Sequence, residues 1–319
     1  MAFIFLMSQR STAQNEVQSK VDSLLNAANK SEIDTLRIKL LSKASFECNY
    51  TNPEKGIEYG KSALKIAADM HWDEGIAIAS LSICHNYFRK SDFPMSLEFG
   101  FQALRAYGKV NDNRGKARAN NNIGNIFSQM GERRKALEYY LKGIPLVTQI
   151  KDTSALGIFY CNIGIVYSDL KMFDSSLAFA NKSLEYALVT EDKIAISRCY
   201  GNIGSVYTEI KKYDSAFANL TRALMMRIEL GNNNGLADNY YELGITCLAM
   251  ANDTPFYLYS DRNIPGSPKA CLEKATEYLE KGWEISNRMN FGSLKVDISE
   301  QLAEAYGKLG MNDKAYKYL

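Results

Sequence analysis

Residues 121–127 read Asn-Asn-Ile-Gly-Asn-Ile-Phe, and a similar stretch, Cys-Asn-Ile-Gly-Ile-Val-Tyr, follows forty residues later at 161–167. The arrangement returns as Gly-Asn-Ile-Gly-Ser-Val-Tyr at 201–207 and as Tyr-Glu-Leu-Gly-Ile-Thr-Cys at 241–247. Forty and eighty residues before Gly124, the glycine position is filled by Cys84 and Ala44, which are also small. A repeat of fixed length over most of a chain indicates a protein built from stacked supersecondary elements.

The repeated positions are those of packed helices. Each repeat carries two segments in which apolar residues are spaced by three and four, the pattern of an amphipathic helix. Small residues let two helices approach closely, and larger residues beside them fill the space between turns. Residues suited to helix starts lie at the junctions between repeats, namely Asp112, Asp152, Asp192 and Asn232. The sequence therefore predicts two helices in each repeat.

The order of small and aromatic residues within one repeat closely resembles the tetratricopeptide repeat, as in Gly124, Phe127, Ala136, Tyr140 and Gly143. That repeat usually has about 34 residues, and the greater length here is similar to the repeats of kinesin light chains and of bacterial peptide-sensing regulators. The resemblance covers roughly residues 37–319. It implies an all-α, right-handed superhelical solenoid of antiparallel helix pairs, a scaffold that serves many kinds of partner.

About six and a half repeats fit into a solenoid at residues 15–319. The sixth repeat is interrupted near 251–269, where three of the six prolines lie, so we expect a loop there. Phe256, Tyr257 and Tyr259 of this loop would cover the groove, contact a partner, or form a passive surface. The last residues read as an ordinary mid-repeat helix without the polar cap of a solenoid, and we expect the polypeptide to be longer.

Residues 1–14 resemble the last part of an export signal, because an apolar run at 2–7 precedes the small residues Ser11, Thr12 and Ala13. The alternative is a slightly apolar tail. Export would make the chain periplasmic, or would make it the extracytoplasmic part of an inner-membrane protein. Six scattered cysteines favour a reducing cytoplasm instead. No stretch approaches the ~20 apolar residues of a membrane-spanning helix.

The composition argues against several classes of function. The 38 Lys and Arg nearly balance the 36 Asp and Glu, giving a formal net charge of +2, which leaves little excess charge for nucleic acid or an anionic membrane. The two histidines lie in different predicted helices, and no Cys-x-x-Cys occurs, so we expect no metal and no cofactor. No nucleophile and base lie in a supporting context, so we predict no enzyme in these residues.

Asparagine recurs at one position on the first helix of three repeats, as Asn122, Asn162 and Asn202. Asparagine is unfavourable inside a helix, so its recurrence needs a reason. A carboxamide can both donate to and accept from a peptide backbone, and similar repeats bind peptide backbones with asparagines. The three residues therefore either hold an extended peptide in the concave groove, or bond a neighbouring helix and fix the repeat spacing.

Other polar residues of the first helices complete the predicted groove, namely Arg118, Arg198, Asn121, Asn125, Gln129, Ser205 and Tyr241. Each arginine would either pair with a carboxylate or stay solvated at the rim. The preceding repeat is more apolar at the same surface, with Ile78, Leu81, His85 and Phe88. The family's carboxylate clamp needs Lys and Asn where this chain has Ile158 and Cys161, which argues against the binding of chaperone tails.

These features predict a non-catalytic module that binds a protein or peptide in the groove. Long-repeat arrays with an export signal resemble the input regions of histidine kinases, nucleotide cyclases and helix-turn-helix regulators. That resemblance implies the sensory region of a larger bacterial signal-transduction protein, with dimerisation through a further C-terminal region. The alternative is a cytoplasmic scaffold or peptide-sensing regulator.

Overall fold

The computed structural model describes residues 17–253, 265–289 and 292–319, and in these ranges every regular element is a helix. A first helix covers residues 17–30 (α1). The others are α2 (Asp34–Glu47), α3 (Pro53–Asp69), α4 (Asp73–Arg89), α5 (Phe93–Lys109), α6 (Asn113–Gln129), α7 (Arg133–Gln149), α8 (Thr153–Asp169), α9 (Phe173–Val189), α10 (Lys193–Glu209), α11 (Tyr213–Glu229), α12 (Asn233–Asn252), α13 (Pro268–Met289), α14 (Gly292–Lys308) and α15 (Asn312–Tyr316). The all-α class and the tandem helix pairs predicted from the sequence are confirmed. Even-numbered helices from α2 onward are called first helices, and the odd-numbered helices that follow them are called second helices.

Helix length and turn shape repeat as regularly as the sequence. Every helix from α3 to α11 has 17 residues, and three residues join each of them to the next helix. The middle residue of each turn from α3 to α12 has a positive φ, between 52° and 79°. Glycine is the residue that adopts this left-handed conformation without strain, yet only Gly131 and Gly231 are glycines among these turns.

Each of these turns is closed by two kinds of hydrogen bond. The residue after the left-handed position returns its backbone N–H to the end of the previous helix, as in Asp112 N–H to the Tyr107 carbonyl at 3.1 Å. Where this third residue of the turn is Asp or Asn, its side chain also caps the next helix. All four predicted helix starters accept in this way from the backbone N–H three residues later, at 3.0–3.2 Å: Asp112, Asp152, Asp192 and Asn232. Side-chain caps therefore satisfy the otherwise unpaired N–H groups at these helix starts.

The helices form two compact parts, an N-terminal unit that ends at Ala155 and a C-terminal unit that begins at Leu156. The core of the N-terminal unit consists of small clusters between consecutive helices, such as the one that joins Ile83, Cys84 and Ile126. The C-terminal unit has a larger cluster, in which Leu220 and Leu279 are fully buried. Burial of these side chains supplies most of the free energy that holds such units together.

The small residues of the repeat lie where a second helix crosses a first helix. A Cβ atom on Gly124 would lie 2.5 Å from Cε1 of Tyr140, and one on Gly204 would lie 2.6 Å from Cγ of Leu220. Carbon atoms pack at about 3.5–4.0 Å, so a side chain at either glycine would displace its neighbour. This confirms the close helix approach that the small positions predict.

The structure corrects the register of the first repeat. The residues of α2 that face the same cavity as α4 are Lys39, Ser42, Lys43 and Phe46, and each lies 39 residues before its counterpart, Ile78, Leu81, Ser82 or His85. The small position of α2 is therefore Ser45, fully buried near Gly60, whereas a forty-residue spacing assigned it to Ala44. The shift has a local cause, since a 3-10 helix at Cys48–Tyr50 replaces the left-handed turn in the connection to α3.

Several predictions concern residues outside the described ranges. The export-like segment at 1–14 lies outside them, as do Phe256, Tyr257 and Tyr259 of the predicted insertion. At the edges of the insertion, α12 ends at Asn252 and α13 begins at Pro268. All six cysteines are described, and they are free and buried. None of the helices in the described ranges is long and apolar enough to cross a membrane.

Candidate functional site

Two adjoining cavities lie on the first helices of the N-terminal unit and share the side chains of Phe46 and His85. The larger has a volume of about 290 Å³ and is lined by Lys39, Ser42, Lys43, Phe46, Ile78, Leu81, Ser82, His85, Tyr107 and Arg118. The smaller, of about 210 Å³, is lined by Phe46, Asn49, Cys84, His85, Phe88, Arg89, Asn122, Asn125 and Ile126. Helices α2, α4 and α6 therefore form one groove that is lined by apolar side chains such as Phe46 and Leu81 and by polar side chains such as His85 and Asn122. The sequence correctly predicted the apolar contribution of α4, since Ile78, Leu81, His85 and Phe88 all line it.

His85 lies at the centre of this groove, between the first helices on either side. Its ring meets that of Phe46 edge to face, with centroids 5.1 Å apart and an interplanar angle of 89°. Its Nε2 lies 3.1 Å from Nδ2 of Asn122. Burial, with Arg118 and Arg89 nearby, lowers the pKa of His85 to about 4. A neutral imidazole whose Nε2 accepts from the Asn122 amide carries its proton on Nδ1.

The predicted residues of α6 lie on or beside this groove. Arg118 lines the larger cavity, while Asn122 and Asn125 line the smaller one. The oxygen Oδ1 of Asn125 accepts a hydrogen bond of 2.7 Å from the hydroxyl of Tyr140, a core side chain of α7. Asn121 is half-buried beside them, and Gln129 is exposed at the last residue of the helix. The structure therefore brings three of the five together at cavities.

The remaining predicted residues belong to the C-terminal unit. Asn162 lies half-buried on α8, and Arg198 is exposed on α10. Nδ2 of Asn202 donates to Sγ of Cys161 at 3.3 Å, which links α10 to α8. The Ser205 hydroxyl donates to the carbonyl of Gly201 in its own helix, at 3.1 Å. As with Asn122, the amide nitrogen of Asn202 forms a hydrogen bond to a neighbouring first helix.

Charged groups gather along α12, the helix of the C-terminal unit that carries Tyr241. Arg227 is 7% exposed and donates through Nη1 to the carbonyl of Gly235 at 2.7 Å. Burial lowers the pKa of Arg227, opposed by Asp238 and Glu242. Burial likewise raises the pKa of both carboxyl groups, which Arg227 opposes. Burial, with Glu242 close by, raises the pKa of Tyr241 to about 12. Arg227 of α11 therefore faces two carboxyl groups of α12, the helix that also carries Tyr241.

Sequence reasoning missed two sets of residues that face these sites. Lys39, Lys43 and Phe46 were overlooked because α2 follows a spacing of 39 rather than forty. Asp238 and Glu242 were overlooked although the signal was present, since Glu242 lies forty residues after Asn202 and Asp238 lies forty after Arg198. Among the residues that the structure describes, no three His, Cys, Asp or Glu side chains come together as metal ligands.

Comparison with known families gives two matches. Sequence models of the tetratricopeptide repeat match residues 155–229 and residues 117–144. These ranges cover the helices from α6 to α11 that carry Asn122, Asn162 and Asn202. Among curated proteins, no sequence matches the chain significantly.

Solved structures with the same arrangement of helices cover nearly the whole chain. The apo form of the quorum sensor NprR from B. thuringiensis has a TM-score of 0.69 at 13% identity, covering 98% of this chain and 82% of that chain. Apo RapI has a TM-score of 0.64 at 14% identity, covering 88% and 94%. A Rap protein in complex with competence and sporulation factor has a TM-score of 0.59 at 15% identity, covering 95% and 81%. At these identities the likeness concerns the fold.

Proposed function

We propose that this chain, which belongs to the tetratricopeptide-repeat proteins, is a non-catalytic module that binds an extended peptide segment on its first helices. The observation that carries the proposal is the groove of the N-terminal unit, where three consecutive first helices line two adjoining cavities around His85. Ligand sites are typically concave, mostly apolar, and equipped with a few polar groups that fix orientation. This groove has that composition.

The asparagines supply the means to hold a peptide backbone. The Asn122 amide nitrogen is engaged by His85, while its oxygen accepts no hydrogen bond from the described residues. The Asn202 amide is held in the same way, through its nitrogen to Cys161. An amide fixed through its nitrogen presents its oxygen in a defined direction, ready to accept from a peptide N–H. Fixing a polar group before binding lowers the entropic cost of association.

The apolar side chains that line the two cavities supply the means to select side chains of the peptide. Phe46 lies between them, and Leu81 and Phe88 line one each. A peptide held by its backbone would place alternate side chains into such cavities, so that affinity and selectivity have separate sources. The fold neighbours support this proposal, because a quorum sensor and a Rap protein in complex with competence and sporulation factor share the arrangement of helices.

The experiment is an array of immobilised ten-residue peptides of varied sequence, probed with the purified chain. Wild type is compared with Asn122→Ala and with Asn181→Ala, which removes an exposed asparagine from second helix α9. We expect a set of peptides to bind wild type and Asn181→Ala equally, and Asn122→Ala several-fold more weakly. Circular dichroism of each variant checks that the helices are retained. If no peptide binds wild type, or if all three proteins bind alike, the proposal is wrong.

A finer proposal is that the module is the sensory region of a larger bacterial signal-transduction protein, acting outside the cytoplasm. The export-like residues at 1–14 support it, whereas the buried free cysteines support a cytoplasmic scaffold or peptide-sensing regulator. Fusion of alkaline phosphatase to the product of the complete open reading frame, so that any residues encoded before Met1 are included, distinguishes the two. Phosphatase activity in the periplasm supports the first alternative, and its absence, with the fusion found in the cytoplasm, supports the second.

A further inference from the structure

Two cysteines of neighbouring first helices come together in the C-terminal unit. Cys161 of α8 and Cys199 of α10 are 2% and 1% exposed, and both thiols are free. The hydroxyl oxygen of Ser183, on second helix α9, lies 3.2 Å from Sγ of Cys199. Burial raises the pKa of Cys161, and a hydrogen bond from Ser183 opposes this rise. The two thiols therefore lie around one hydroxyl group.

The two cysteines also lie at the same level of their helices. Nδ2 of Asn202 donates to Sγ of Cys161 at 3.3 Å, and Arg198, one turn earlier on α10, acts on the same thiol through a hydrogen bond. Cys199 lies between these two residues in the sequence, so it is level with Cys161. Axes of packed helices are about 8–10 Å apart and each Cα lies about 2.3 Å from its axis, so facing Cα atoms are roughly 4–5 Å apart. A disulfide joins Cα atoms about 4.4–6.8 Å apart.

A second pair of cysteines provides an internal comparison. Cys247 of α12 and Cys271 of α13 are fully buried members of the large apolar cluster. Cys161, by contrast, is in contact with the polar side chains of Asn202, which is half-buried, and Arg198, which is exposed. Displacement of these two side chains gives access to Cys161, whereas access to Cys247 requires the apolar cluster to open.

We propose that Cys161 and Cys199 are a modification site, at which a low-molecular-weight disulfide oxidises the two thiols to an intramolecular disulfide bond. The thiolate of Cys161, which the charge of Arg198 favours, attacks one sulfur of the reagent and releases one thiolate. Cys199 then loses its proton and attacks the sulfur bound to Cys161, which forms the new bond and releases the second thiolate. The two protein thiols lose two electrons, and the reagent is reduced to two thiols that take up both protons.

The bond would change the groove face of the C-terminal unit. In the reduced chain the Asn202 amide donates to the Cys161 thiol. A sulfur atom bonded to Cys199 turns toward α10 and away from this amide, so the amide nitrogen becomes available to another acceptor, while α8 is fixed to α10. The effect on ligand binding rests on the proposed function, whereas the formation of the bond does not.

The test is to map the bond in the folded chain. The chain is incubated with bis(2-hydroxyethyl) disulfide, which is small and uncharged, then blocked with N-ethylmaleimide in guanidinium chloride and digested with trypsin. Trypsin places Cys161 in residues 152–171 and Cys199 in residues 199–211, and neither peptide has another cysteine. We expect mass spectrometry to find these two peptides linked, and to find maleimide on both cysteines of the second pair. Circular dichroism checks that the incubated chain stays folded.

Variants connect the linked peptides to the two thiols. Cys161→Ala and Cys199→Ala should each abolish the link, whereas Cys48→Ala, which removes a buried thiol of the N-terminal unit, should retain it. Oxidised wild type should unfold at a higher urea concentration than reduced wild type, because the bond restricts the unfolded chain. Urea unfolding of Cys199→Ala should be the same with and without the reagent. A link found only after unfolding, a lasting adduct of the reagent on Cys161, or maleimide on both cysteines after oxidation overturns the proposal.

The outcome separates this proposal from that of peptide binding. If the linked peptides form but no peptide of the array binds, the peptide proposal is wrong and the modification site stands. If array peptides bind but no link forms, the modification proposal is wrong and the peptide proposal stands. Where both hold, we expect the oxidised chain to bind array peptides with an affinity several-fold different from that of the reduced chain, and equal binding would contradict the effect on the Asn202 amide.

Discussion

Nδ2 of Asn122 lies 3.1 Å from Nε2 of His85, and this contact joins α6 to α4 where both residues line the smaller cavity. The two residues are 37 positions apart in the chain. The bond defines the tautomer of the histidine and the direction of the asparagine amide, so each residue orients the other. A role in repeat spacing and a role in ligand binding are therefore compatible at this position.

The stability of the N-terminal unit should fall below neutral pH because of His85. Its pKa is about 4 in the folded chain and about 6.5 when unfolded. Between these values the unfolded chain takes up a proton that the folded chain does not, so the free energy of unfolding falls as the pH is lowered. We expect His85 to contribute a loss of about 2 kcal/mol by pH 4, after allowance for the partial exposure of the ring.

Urea unfolding of wild type, His85→Gln and His71→Gln at pH 7 and pH 4.5 measures this contribution. His85→Gln should lose less stability than wild type on acidification, because it has no imidazole to protonate in the unfolded state. His71→Gln serves as the control, since His71 is exposed at a turn. An identical pH dependence for wild type and His85→Gln would contradict the prediction.

Gly124→Ala should destabilise the chain although alanine is the better helix former. The new Cβ would lie 2.5 Å from the ring of Tyr140, which is 2% exposed and bonded through its hydroxyl to Asn125. Overpacking costs typically 1–3 kcal/mol, more than the ~1 kcal/mol that alanine gains over glycine in a helix. The matched control is Gly108→Ala, where no atom lies within 4 Å of the Cβ. Thermal unfolding should show a lower Tm for Gly124→Ala and an unchanged or higher Tm for Gly108→Ala.

The left-handed turns should respond oppositely to two substitutions. Lys171 has φ +57° and Gly131 has φ +79°. A residue with a side chain pays about 1 kcal/mol for this left-handed conformation, and Lys171→Gly removes that cost. Glycine also has a higher entropy in the unfolded chain, which offsets part of the gain. We therefore expect the free energy of unfolding to rise by about 0.5 kcal/mol. Gly131→Ala should lower the free energy of unfolding by about 1 kcal/mol, because alanine is strained at this positive φ. No neighbouring atom lies within 4 Å of the added Cβ, so a clash does not contribute. Chemical denaturation that gave the same sign for both variants would refute this.

The asparagines should differ in their contribution to stability. Asn122→Ala removes a hydrogen bond to an imidazole nitrogen and should cost about 1 kcal/mol. Asn202→Ala removes a bond to the weaker acceptor Cys161 Sγ and should cost roughly half as much. If the amide oxygen of Asn122 binds the peptide, Asn122→Ala should also weaken peptide binding. Urea unfolding beside the peptide array measures the two effects separately, and a loss of stability without a loss of binding would assign the asparagines to spacing alone.

Most of the fold was predictable because it follows from local rules. The start of α6 needed only the capping residue Asp112, and the crossing of α6 with α7 needed only the small Gly124 and the large Tyr140. These rules act over a few residues or over one repeat, so a single sequence contains them. The site was less predictable, because a cavity depends on how three helices are rotated about their axes. The 3-10 helix after α2 shifts the register of α2 by one residue, and this shift turns Lys43 and Phe46 toward the groove.

The identical turns have a consequence for how such a chain changes during evolution. Since every connection from α3 to α12 has three residues with the same backbone path, an in-frame duplication or deletion of forty residues rejoins helices through a joint that the fold already uses. The number of repeats can therefore vary without redesign of any joint. Gene duplication of this kind would lengthen or shorten the binding surface in fixed steps, and point mutation could later adapt each added helix to a different residue of the ligand.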